Sequence, residues 1–457
     1  MFITKKKILI ILIFLFTVFS FSLFIFKFNA STQFSDDLVK LFPIEFRAFI
    51  KNNINNAIPK SFEFQISYKD TELFYDNESI VKKFNESDIL NLNTSKIFQM
   101  SFKNLYNHRP EPFFIDSLSE TQLLIASTSG DFYLLDILNN KNQKKIKSNF
   151  REFYNYTNNL LRIRDILINK NKIYISYIKE IKKNCYNVSM LIAPLNIKTE
   201  FVNLKFSEFF THNQCISNQT LQKFNSPLDR NSIWPIKGHR SVVINQSGGA
   251  LAIDENGYLY LSSGVFGART VAQINESNFG KIIKISTDNG SYKIYSSGHR
   301  NPQGLYYNNF LEILMSSEHG PNGGDEVNKI SNGLNYGWPI SSYGFHYNAK
   351  DRPEAPLLKN HSEYGFSEPI YVFERGTAPS SLALIGKIKN ESYYIVSSLK
   401  GKKIFLFSQN NNTHAIKLID EFYINERIRD IKVLENKILL TLETSKRILL
   451  LNYNLIK

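Results

Sequence analysis

The chain is poor in cysteine: Cys185 and Cys215 are the only two in 457 residues. Their spacing matches no metal-binding motif. The chain also lacks a dominant basic stretch, although its formal net charge is +14, because its lysines are spread among Ile, Asn and Phe. No nucleic-acid-binding signature accompanies this charge, so we expect no nucleic-acid partner. An apolar content of 43% excludes a disordered chain and indicates a globular protein.

One long apolar run is present, at the N-terminus. Lysines 5–7 precede an uncharged apolar run from Ile8 to Phe26, which predicts an export signal within residues 1–30. The run is about long enough to span a bilayer, and the residues before Ser31 make a poor cleavage site, so we expect an uncleaved membrane anchor over residues 8–26. The preceding positive charge places the remainder on the periplasmic or extracellular side. In such a compartment Cys185 and Cys215 are consistent either with a disulfide or with two unpaired buried thiols.

The pattern along the chain changes near residue 96. Asp36 to Ile58 carries apolar residues at mixed helical spacing, interrupted by Pro43. This predicts that residues 31–95 form a short helical stalk or appendage of unknown role. Residues 96–457 lack any long helical pattern and contain short β-type runs separated by polar or glycine turns. Six segments share a strand, turn, strand design: Gln122–Asp136, Asp165–Tyr177, Ala250–Ser263, Leu305–Ser317, Ser392–Phe407 and Asp430–Leu442.

Repeated hairpins at irregular spacing favour an all-β fold, a six-bladed β-propeller, because a β-sandwich with this many strands needs only about half the length. Two hairpins share flanking residues as well. The sequence Arg-Ile-Arg-Asp occurs at 162–165 and at 427–430, and Asn-Lys-Ile follows each at the same distance. Either an internal repeat or chance matching in a chain rich in Ile, Lys and Asn accounts for this similarity.

The stretch from Gly298 to Gly344 holds an unusual concentration of polar residues between glycines. It forms two loops around one apolar strand, Leu311–Ser316. Glycine-fixed loops of this kind carry binding sites more often than they serve as plain connections. The polar groups in these loops are Arg300, Asn301, Glu318, His319, Asp325, Glu326 and Tyr336.

The segments GHRNPQGL, SEHGPNGGDEVN and NYGWPISSYG, with SSLKGKKIFLF and RIRDIKV after them, resemble the soluble aldose sugar dehydrogenases that use pyrroloquinoline quinone, the glucose/sorbosone dehydrogenase family. The resemblance covers roughly residues 160 to 457 in the correct order. It implies a six-bladed propeller with the quinone over its central channel and calcium beside it. The three quinone carboxylates need paired guanidinium groups and a lysine. By motif, these cofactor-binding residues are Arg300, Asn301, Lys400, Arg427 and Arg429.

The same resemblance implies calcium sites in the second loop. Calcium takes six to eight oxygen ligands, and backbone carbonyls of glycine-rich turns supply several of them. Gly320 and Pro321 match the positions that offer carbonyls to the calcium next to the quinone. Glu326 and Tyr336 match a further calcium position, with Asp325 nearby; a solvated loop carboxylate is the alternative interpretation of Glu326.

The chain departs from the family pattern where the family carries its general base. The family oxidises the anomeric carbon of a sugar, with a histidine taking the hydroxyl proton while a hydride passes to the quinone. Gln246 stands at the position of that histidine, and Val265 lies where the orienting acid is expected. A glutamine amide is not basic, so it positions a hydroxyl without accepting its proton. His239 is the candidate for a displaced base.

Two functions from different classes therefore remain. One is an enzyme that oxidises an aldose or related alcohol by passing electrons to the quinone and then to an electron acceptor. The other is a catalytically inactive propeller that binds a sugar, a glycan or a protein through the same face. The retained cofactor cations favour the first function, and the missing histidine and acid favour the second.

Overall fold

The computed structural model describes residues 89–100, 111–138, 143–153, 162–195, 203–225, 242–346 and 356–456. The expected signal or anchor (1–30) and residues 31–88 of the expected appendage lie outside these residues. Within the described ranges, the longest apolar helices are too short to cross a membrane.

The described chain forms six antiparallel sheets arranged as propeller blades, which confirms the all-β, six-bladed expectation. Each blade begins with its innermost strand, and consecutive strands pair outward. The blades contain, in chain order, β2 (Phe113–Ser117), β3 (Gln122–Ser127), β4 (Phe132–Asp136) and β5 (Gln143–Ser148); β6 (Ile163–Asn169), β7 (Lys172–Lys182), β8 (Cys185–Pro194) and β10 (Ser207–Phe210); β11 (Gly248–Ile253), β12 (Tyr258–Ser263), β13 (Lys281–Ser286) and β14 (Tyr292–Ser297); β15 (Pro302–Asn308), β16 (Ile313–Glu318), β17 (Glu326–Ile330) and β18 (Tyr371–Val372); β19 (Pro379–Ile388), β20 (Glu391–Ser398), β21 (Lys403–Asn410) and β22 (Ile416–Tyr423); β23 (Ile428–Leu434), β24 (Lys437–Leu442) and β25 (Arg447–Leu455).

Two further strands complete this arrangement. β9 (Asn203–Leu204) pairs in parallel with β5 at the edge of the first blade. β1 (Leu90–Gln99) pairs antiparallel with β25 and forms the outermost strand of the sixth blade. The expected boundary at residue 96 is therefore wrong, and so is the helical interpretation of residues 90–95. Leu90 and Leu92 are fully buried, because pairing with β25 places their side chains in the apolar cluster shared by the fifth and sixth blades.

All six predicted hairpins are present, each as two adjacent antiparallel strands of one blade. Apolar side chains from neighbouring blades form the core between them, in six clusters. Helical structure within the described ranges is short. It comprises α1 (Asn218–Asn225) and the 3₁₀ turns Phe150–Phe153, Ile244–Gln246, Arg269–Gln273 and His361–Tyr364.

The innermost strands of all six blades line a central channel, which contains a cavity of about 390 Å³. Three of these strands carry an aspartate, Asp116, Asp165 or Asp430, that accepts a backbone hydrogen bond from the next blade. Asp116 accepts a hydrogen bond from the backbone N–H of Ile168, and Asp165 accepts one from Leu251. Such buried carboxylates replace water for backbone groups that no strand partner satisfies. They therefore join the blades around the channel.

The structure contains a disulfide between Cys185 and Cys215, with an S–S distance of 2.07 Å. It joins the start of β8 to the segment before α1, where Tyr186 and Ile216 also pair through their backbones. Of the two interpretations that the sequence permits, the disulfide is the one found.

Candidate functional site

The Gly298–Gly344 stretch lies at the end of the channel where the inner strands begin. Its predicted apolar strand corresponds to β16, Ile313–Glu318, and the flanking loops precede β15 and join β16 to β17. Asn301 lies immediately before β15, and Gln246 lies two residues before β11. Residues that begin different inner strands therefore meet around one opening.

Glycines permit the close backbone packing of the second loop. A Cβ atom on Gly320 would lie 2.0 Å from the carbonyl oxygen of Gly324. Gly324 has a φ of +69°, and a Cβ there would lie 2.3 Å from the backbone nitrogen of Gly344. No other residue type fits these two positions without moving the backbone. The loop is thus built to hold its carbonyl and N–H groups in fixed directions.

A cavity of about 260 Å³ opens between these loops. Six of the predicted site residues line it, and they come from three different blades or from the turns that precede them. Arg300 and Lys400 contribute positive charge, whereas Asp325 is the single acid among the described residues that line the cavity. This balance favours an anionic ligand. The predicted residues brought together are Gln246, Arg300, Asn301, Gly320, Pro321 and Lys400.

Glu318 organises the loop that carries Arg300 and Asn301. Its Oε1 accepts hydrogen bonds from the backbone N–H groups of both residues, at 3.0 Å for Asn301. Its Oε2 lies 3.0 Å from Nδ1 of His299, whose Nε2 faces the Ser296 hydroxyl at 2.8 Å. His299 is fully buried. It is therefore a structural residue and not a displaced base.

His319 lies at the edge of the cavity with both ring nitrogens engaged. Nε2 donates to the carbonyl oxygen of Pro379 at 2.7 Å, and Nδ1 lies 3.3 Å from the amide nitrogen of Asn301. Burial, together with the positive charges of Arg300 and Arg429, lowers the pKa of His319 to about 3. A ring held neutral in this way does not accept a proton at neutral pH.

Arg427 and Arg429 lie beside the cavity and are not part of its lining. Arg429 makes two contacts of 3.1 Å to the carboxylate of Glu443, and Arg427 lies 3.6 Å from the same group. Arg429 also donates to Oε1 of Gln303 at 3.1 Å. The structure therefore places both of these predicted cofactor arginines in ion pairs with Glu443, which the sequence motif does not reveal.

Gln246, the residue expected at the base position, lies at the cavity. Gln246 ends a 3₁₀ turn and faces the cavity. Val265 is fully buried in the core cluster beneath it, so no acid orients the glutamine from that position. His239, the candidate for a displaced base, lies outside the described residues.

Asp325 is the remaining ionisable acceptor in the lining. Its Oδ1 accepts the N–H of Gly320 at 3.0 Å, and its Oδ2 accepts the N–H of Ala378 at 2.7 Å. Burial raises the pKa of Asp325 despite these two hydrogen bonds. The carboxylate thus fixes both cavity loops and holds a proton more readily than an exposed aspartate.

A second, much smaller cavity, of about 10 Å³, lies behind Arg300 and Gly320 and contains the predicted calcium residues Glu326 and Tyr336. Burial and the nearby Glu318 raise the pKa of Glu326 well above its usual range. The Tyr336 hydroxyl donates to the carbonyl oxygen of Lys329. Two neighbouring buried carboxylates suit a bound cation. Across the part of the chain that the structure describes, however, no three His, Cys, Asp or Glu side chains converge as a metal site.

Sequence reasoning missed two contributors to this site, Gln303 and Glu443. Gln303 follows the recognised GHRNP residues directly, but its role depends on arginines more than a hundred residues away. Arg164 was noticed only as part of the repeated Arg-Ile-Arg-Asp sequence. That repeat was the available signal, since both copies reach Gln303.

The fold and the site define a six-bladed propeller with a cavity, lined by Arg300 and Lys400, at one end of its central channel. Residues 110–451 match the family model described as glucose/sorbosone dehydrogenase. The chain therefore belongs to the glucose/sorbosone dehydrogenase family.

Individual relatives agree with this assignment. The chain is 31% identical to the aldose sugar dehydrogenase of Escherichia coli over 207 residues, which is 41% of this chain and 54% of that protein. The chain thus spans about half the length of this curated relative. The crystal structure of the soluble aldose sugar dehydrogenase from Escherichia coli in its apo form matches with a TM-score of 0.59 and 19% identity, over 80% of this chain and 99% of that one.

A structure of the aldose sugar dehydrogenase from Streptomyces coelicolor in its PQQ-bound form also matches. Its TM-score is 0.56 and its identity 18%, over 80% of this chain and 98% of that one. At these identities the structural likeness shows the shared fold alone.

Proposed function

We propose that this protein is an extracytoplasmic quinoprotein that binds pyrroloquinoline quinone in the 260 Å³ cavity and oxidises an aldose or related alcohol. The observation that carries this proposal is the lining of the cavity, where Arg300, Lys400 and Asn301 face one space beside a single acid. A polyanion with three carboxylates requires this donor set. When bound, the quinone would accept the hydride, which carries both electrons of the alcohol oxidation.

The protein residues have separate parts in this proposal. Arg300 and Lys400 bind the anionic cofactor. Asn301 donates a hydrogen bond beside them through its amide nitrogen, because its oxygen already accepts two hydrogen bonds. Gln246 positions the substrate hydroxyl through its amide. The hydroxyl proton goes either to Asp325, whose pKa is raised by burial, or to His239. The His319 ring is excluded from this step because its pKa is about 3.

Calcium belongs to the same proposal. Gly320 and Pro321 line the larger cavity with their backbone, and carbonyl oxygens in such turns are calcium ligands. Glu326 and Tyr336 line the smaller cavity, where the charge of a cation offsets the cost of burying Glu326 beside Glu318. We assign a calcium ion to each position.

Location and partners follow from the N-terminal sequence. We propose that residues 8–26 export the chain and anchor it to the membrane, so that the propeller works on the periplasmic or extracellular side. The disulfide between Cys185 and Cys215 is consistent with an oxidising compartment. An electron acceptor must then reoxidise the cofactor between turnovers.

The test uses purified protein, pyrroloquinoline quinone and calcium, with the absorbance of the quinone followed during addition of a panel of aldoses. We expect saturable quinone binding, followed by reduction with at least one aldose. If the quinone does not bind, the proposal is wrong. Binding without reduction by any aldose favours the second function, a catalytically inactive propeller that binds a sugar, glycan or protein, for which the glutamine at position 246 is the supporting observation.

Gln246→His is the companion variant. A histidine restores a proton acceptor at the mouth of the cavity, so we expect it to increase aldose-driven reduction of the quinone by about tenfold or more. Gln246→Asn, which keeps an amide, is the matched control and is expected to give no increase. Equal rates for the two variants would show that position 246 does not determine proton transfer.

A further inference from the structure

The two copies of Arg-Ile-Arg-Asp occupy equivalent places in the propeller. Each lies at the start of an innermost strand, β6 or β23, and in each strand the pairing register shifts at that sequence, between Ile163 and Asp165 and between Ile428 and Ile431. The second arginine of each copy, Arg164 and Arg429, points into the mouth of the channel. Both donate to one atom, Oε1 of Gln303, at 3.2 and 3.1 Å.

The two arginines fix the orientation of the Gln303 amide. A guanidinium group only donates hydrogen bonds, so the atom of Gln303 that faces it must be the oxygen. The amide nitrogen of Gln303 consequently faces the other way and donates to Oδ1 of Asn301 at 3.0 Å. That oxygen also accepts the backbone N–H of Gly248 at 3.1 Å. The orientation of Asn301 is thus determined as well.

The same logic reaches the cavity. With its oxygen engaged, Asn301 presents its amide nitrogen to Nδ1 of His319 at 3.3 Å. Nδ1 must then be the unprotonated nitrogen, and Nε2 carries the proton that it donates to Pro379. Asn301 and His319 both line the 260 Å³ cavity. The Pro379 carbonyl alone is sufficient to fix this tautomer, because a carbonyl oxygen only accepts hydrogen bonds. The arginine network therefore determines the orientation of the Asn301 amide.

Arg164 differs from Arg429 in one respect that matters here. Arg429 is paired with Glu443, whereas within the described ranges the structure contains no ion pair to Arg164. Instead, its Nε donates to the carbonyl oxygen of Gly248 at 3.1 Å. Arg164 packs directly against the backbone of Gly249. A Cβ atom on Gly249 would lie 2.3 Å from the Cβ of Arg164, so only glycine leaves room for the arginine here. Burying an arginine without a carboxylate partner is costly, so a packing role alone does not account for it.

We propose that Arg164 is a positioning residue of the cavity: it holds Gln303 and Gly248, and through them it fixes the Asn301 amide that faces the ligand. This inference rests on the proposed function only in naming the quinone as that ligand. The arrangement itself exists without the quinone. Arg164 does not touch the ligand and acts through Gln303, Gly248 and Asn301.

The experiment is a double-mutant cycle on quinone affinity, measured by absorbance titration in calcium-containing buffer. We expect Arg164→Met and Gln303→Met each to weaken binding about tenfold, which corresponds to about 1.4 kcal/mol. The double variant should be weakened by much less than about a hundredfold, because Arg164 then reaches Asn301 only through Gly248, which donates its N–H to the same Asn301 oxygen. A hundredfold loss in the double variant would overturn the proposal, since the two side chains would then act independently.

Two further variants separate positioning from charge. Arg164→Lys keeps the charge but has no planar fork to reach Gly248 and Gln303 together, so it should bind the quinone as weakly as Arg164→Met. Restored affinity would show that charge alone matters and would overturn the proposal. Arg151→Met removes an exposed arginine from the first blade and is expected to change nothing. The unfolding transition of each variant shows whether it is folded. If Arg164→Met does not fold, the quinone affinities of Gln303→Met and Arg164→Lys test the proposal instead.

A quinone-free measurement keeps this inference distinct from the proposed function. Asparagine labelled with ¹⁵N in its side chain reports the Asn301 amide by NMR, with Asn301→Asp identifying its signal. We expect one sharp Asn301 amide signal in the native protein and a shifted or broadened signal in Arg164→Met and in Arg164→Lys. An unchanged Asn301 signal in both variants overturns the inference. Failure of the native protein to bind quinone overturns only the proposed function.

Discussion

Asp430 accepts a hydrogen bond of 3.0 Å from the backbone N–H of Ile115, which joins the sixth blade to the first across 315 residues of chain. Its other carboxylate oxygen accepts the N–H of Ile431 at 2.8 Å. The strand β1 closes the ring at the outer edge of the sixth blade, and Asp430 closes it at the channel. The two contacts therefore hold opposite edges of the same junction.

Removal of the Asp430 carboxylate should destabilise the propeller. Asp430→Ala leaves two buried N–H groups without an acceptor, and we expect the free energy of unfolding to fall by about 2 kcal/mol. Urea unfolding followed by circular dichroism measures this change. Asp288→Ala, on an exposed turn of the third blade, is the control and should leave stability unchanged. Equal stability of the two variants would mean that Asp430 does not close the ring.

His319 should make stability depend on pH in the acidic range. Its pKa in the folded protein is about 3, below its ordinary value of 6.5, so between these values the unfolded chain binds a proton that the folded chain does not. The stability that neutral His319 contributes is therefore fully present above pH 6.5 and is lost as the pH falls through this window, by about 1 kcal/mol per pH unit.

The measurement for this prediction is urea unfolding between pH 4 and pH 7. His319→Gln replaces the ring with a side-chain amide that does not titrate. This variant should lose less stability on acidification than the native protein. His212, whose pKa burial lowers to about 4, contributes a loss of the same sign in both proteins. Parallel curves for the native protein and His319→Gln would contradict the prediction.

The disulfide should stabilise the second blade and its connection to α1. Cys185 and Cys215 enclose a loop with a sequence separation of 30, for which the loss of chain entropy in the unfolded state corresponds to about 3 to 4 kcal/mol. Replacement of both cysteines by serine should lower the free energy of unfolding by about that amount. Reduction of the native protein with dithiothreitol should give the same shift, whereas no shift in either case would show that the disulfide is dispensable.

Gly249 should be intolerant of any side chain. It has a φ of +110°, and a Cβ there would lie 2.3 Å from Arg164, so Gly249→Ala is expected to cost more than about 2 kcal/mol and to weaken quinone binding. Gly333→Ala is the matched control, since Gly333 also has a positive φ, of +79°, but nothing within 4 Å. It pays the backbone strain alone, about 1 kcal/mol. Similar losses in both variants would exclude the clash with Arg164 as the cause.

The fold was largely predictable because short apolar runs around polar turns are local features of the sequence. The six hairpins and their order follow from such runs. The strand β1 was not predictable in this way, since Leu90 and Leu92 are buried only through pairing with β25 at the other end of the chain. Residues 90–93, Leu-Asn-Leu-Asn, do alternate between apolar and polar in the manner of a strand, but this short signal does not identify the partner strand.

The site was predictable only in part, for a related reason. Motif residues such as Arg300 and Lys400 were found from the sequence and converge on one cavity. Gln303 and Glu443 were not found, because each gains its role from side chains on other blades. A local pattern identifies what a loop can bind, whereas the partners that orient it depend on the closed ring.

The most direct test of the central claim is a calorimetric titration of the protein with pyrroloquinoline quinone in the presence of calcium. The account predicts saturable binding with one quinone per chain. It further predicts a loss of affinity of about tenfold or more in Arg300→Gln and in Lys400→Gln, since each removes a charge-assisted contact to a carboxylate. Absence of binding by the native protein would contradict the assignment of this cavity as the cofactor site. So would variants that both bind the quinone with the affinity of the native protein.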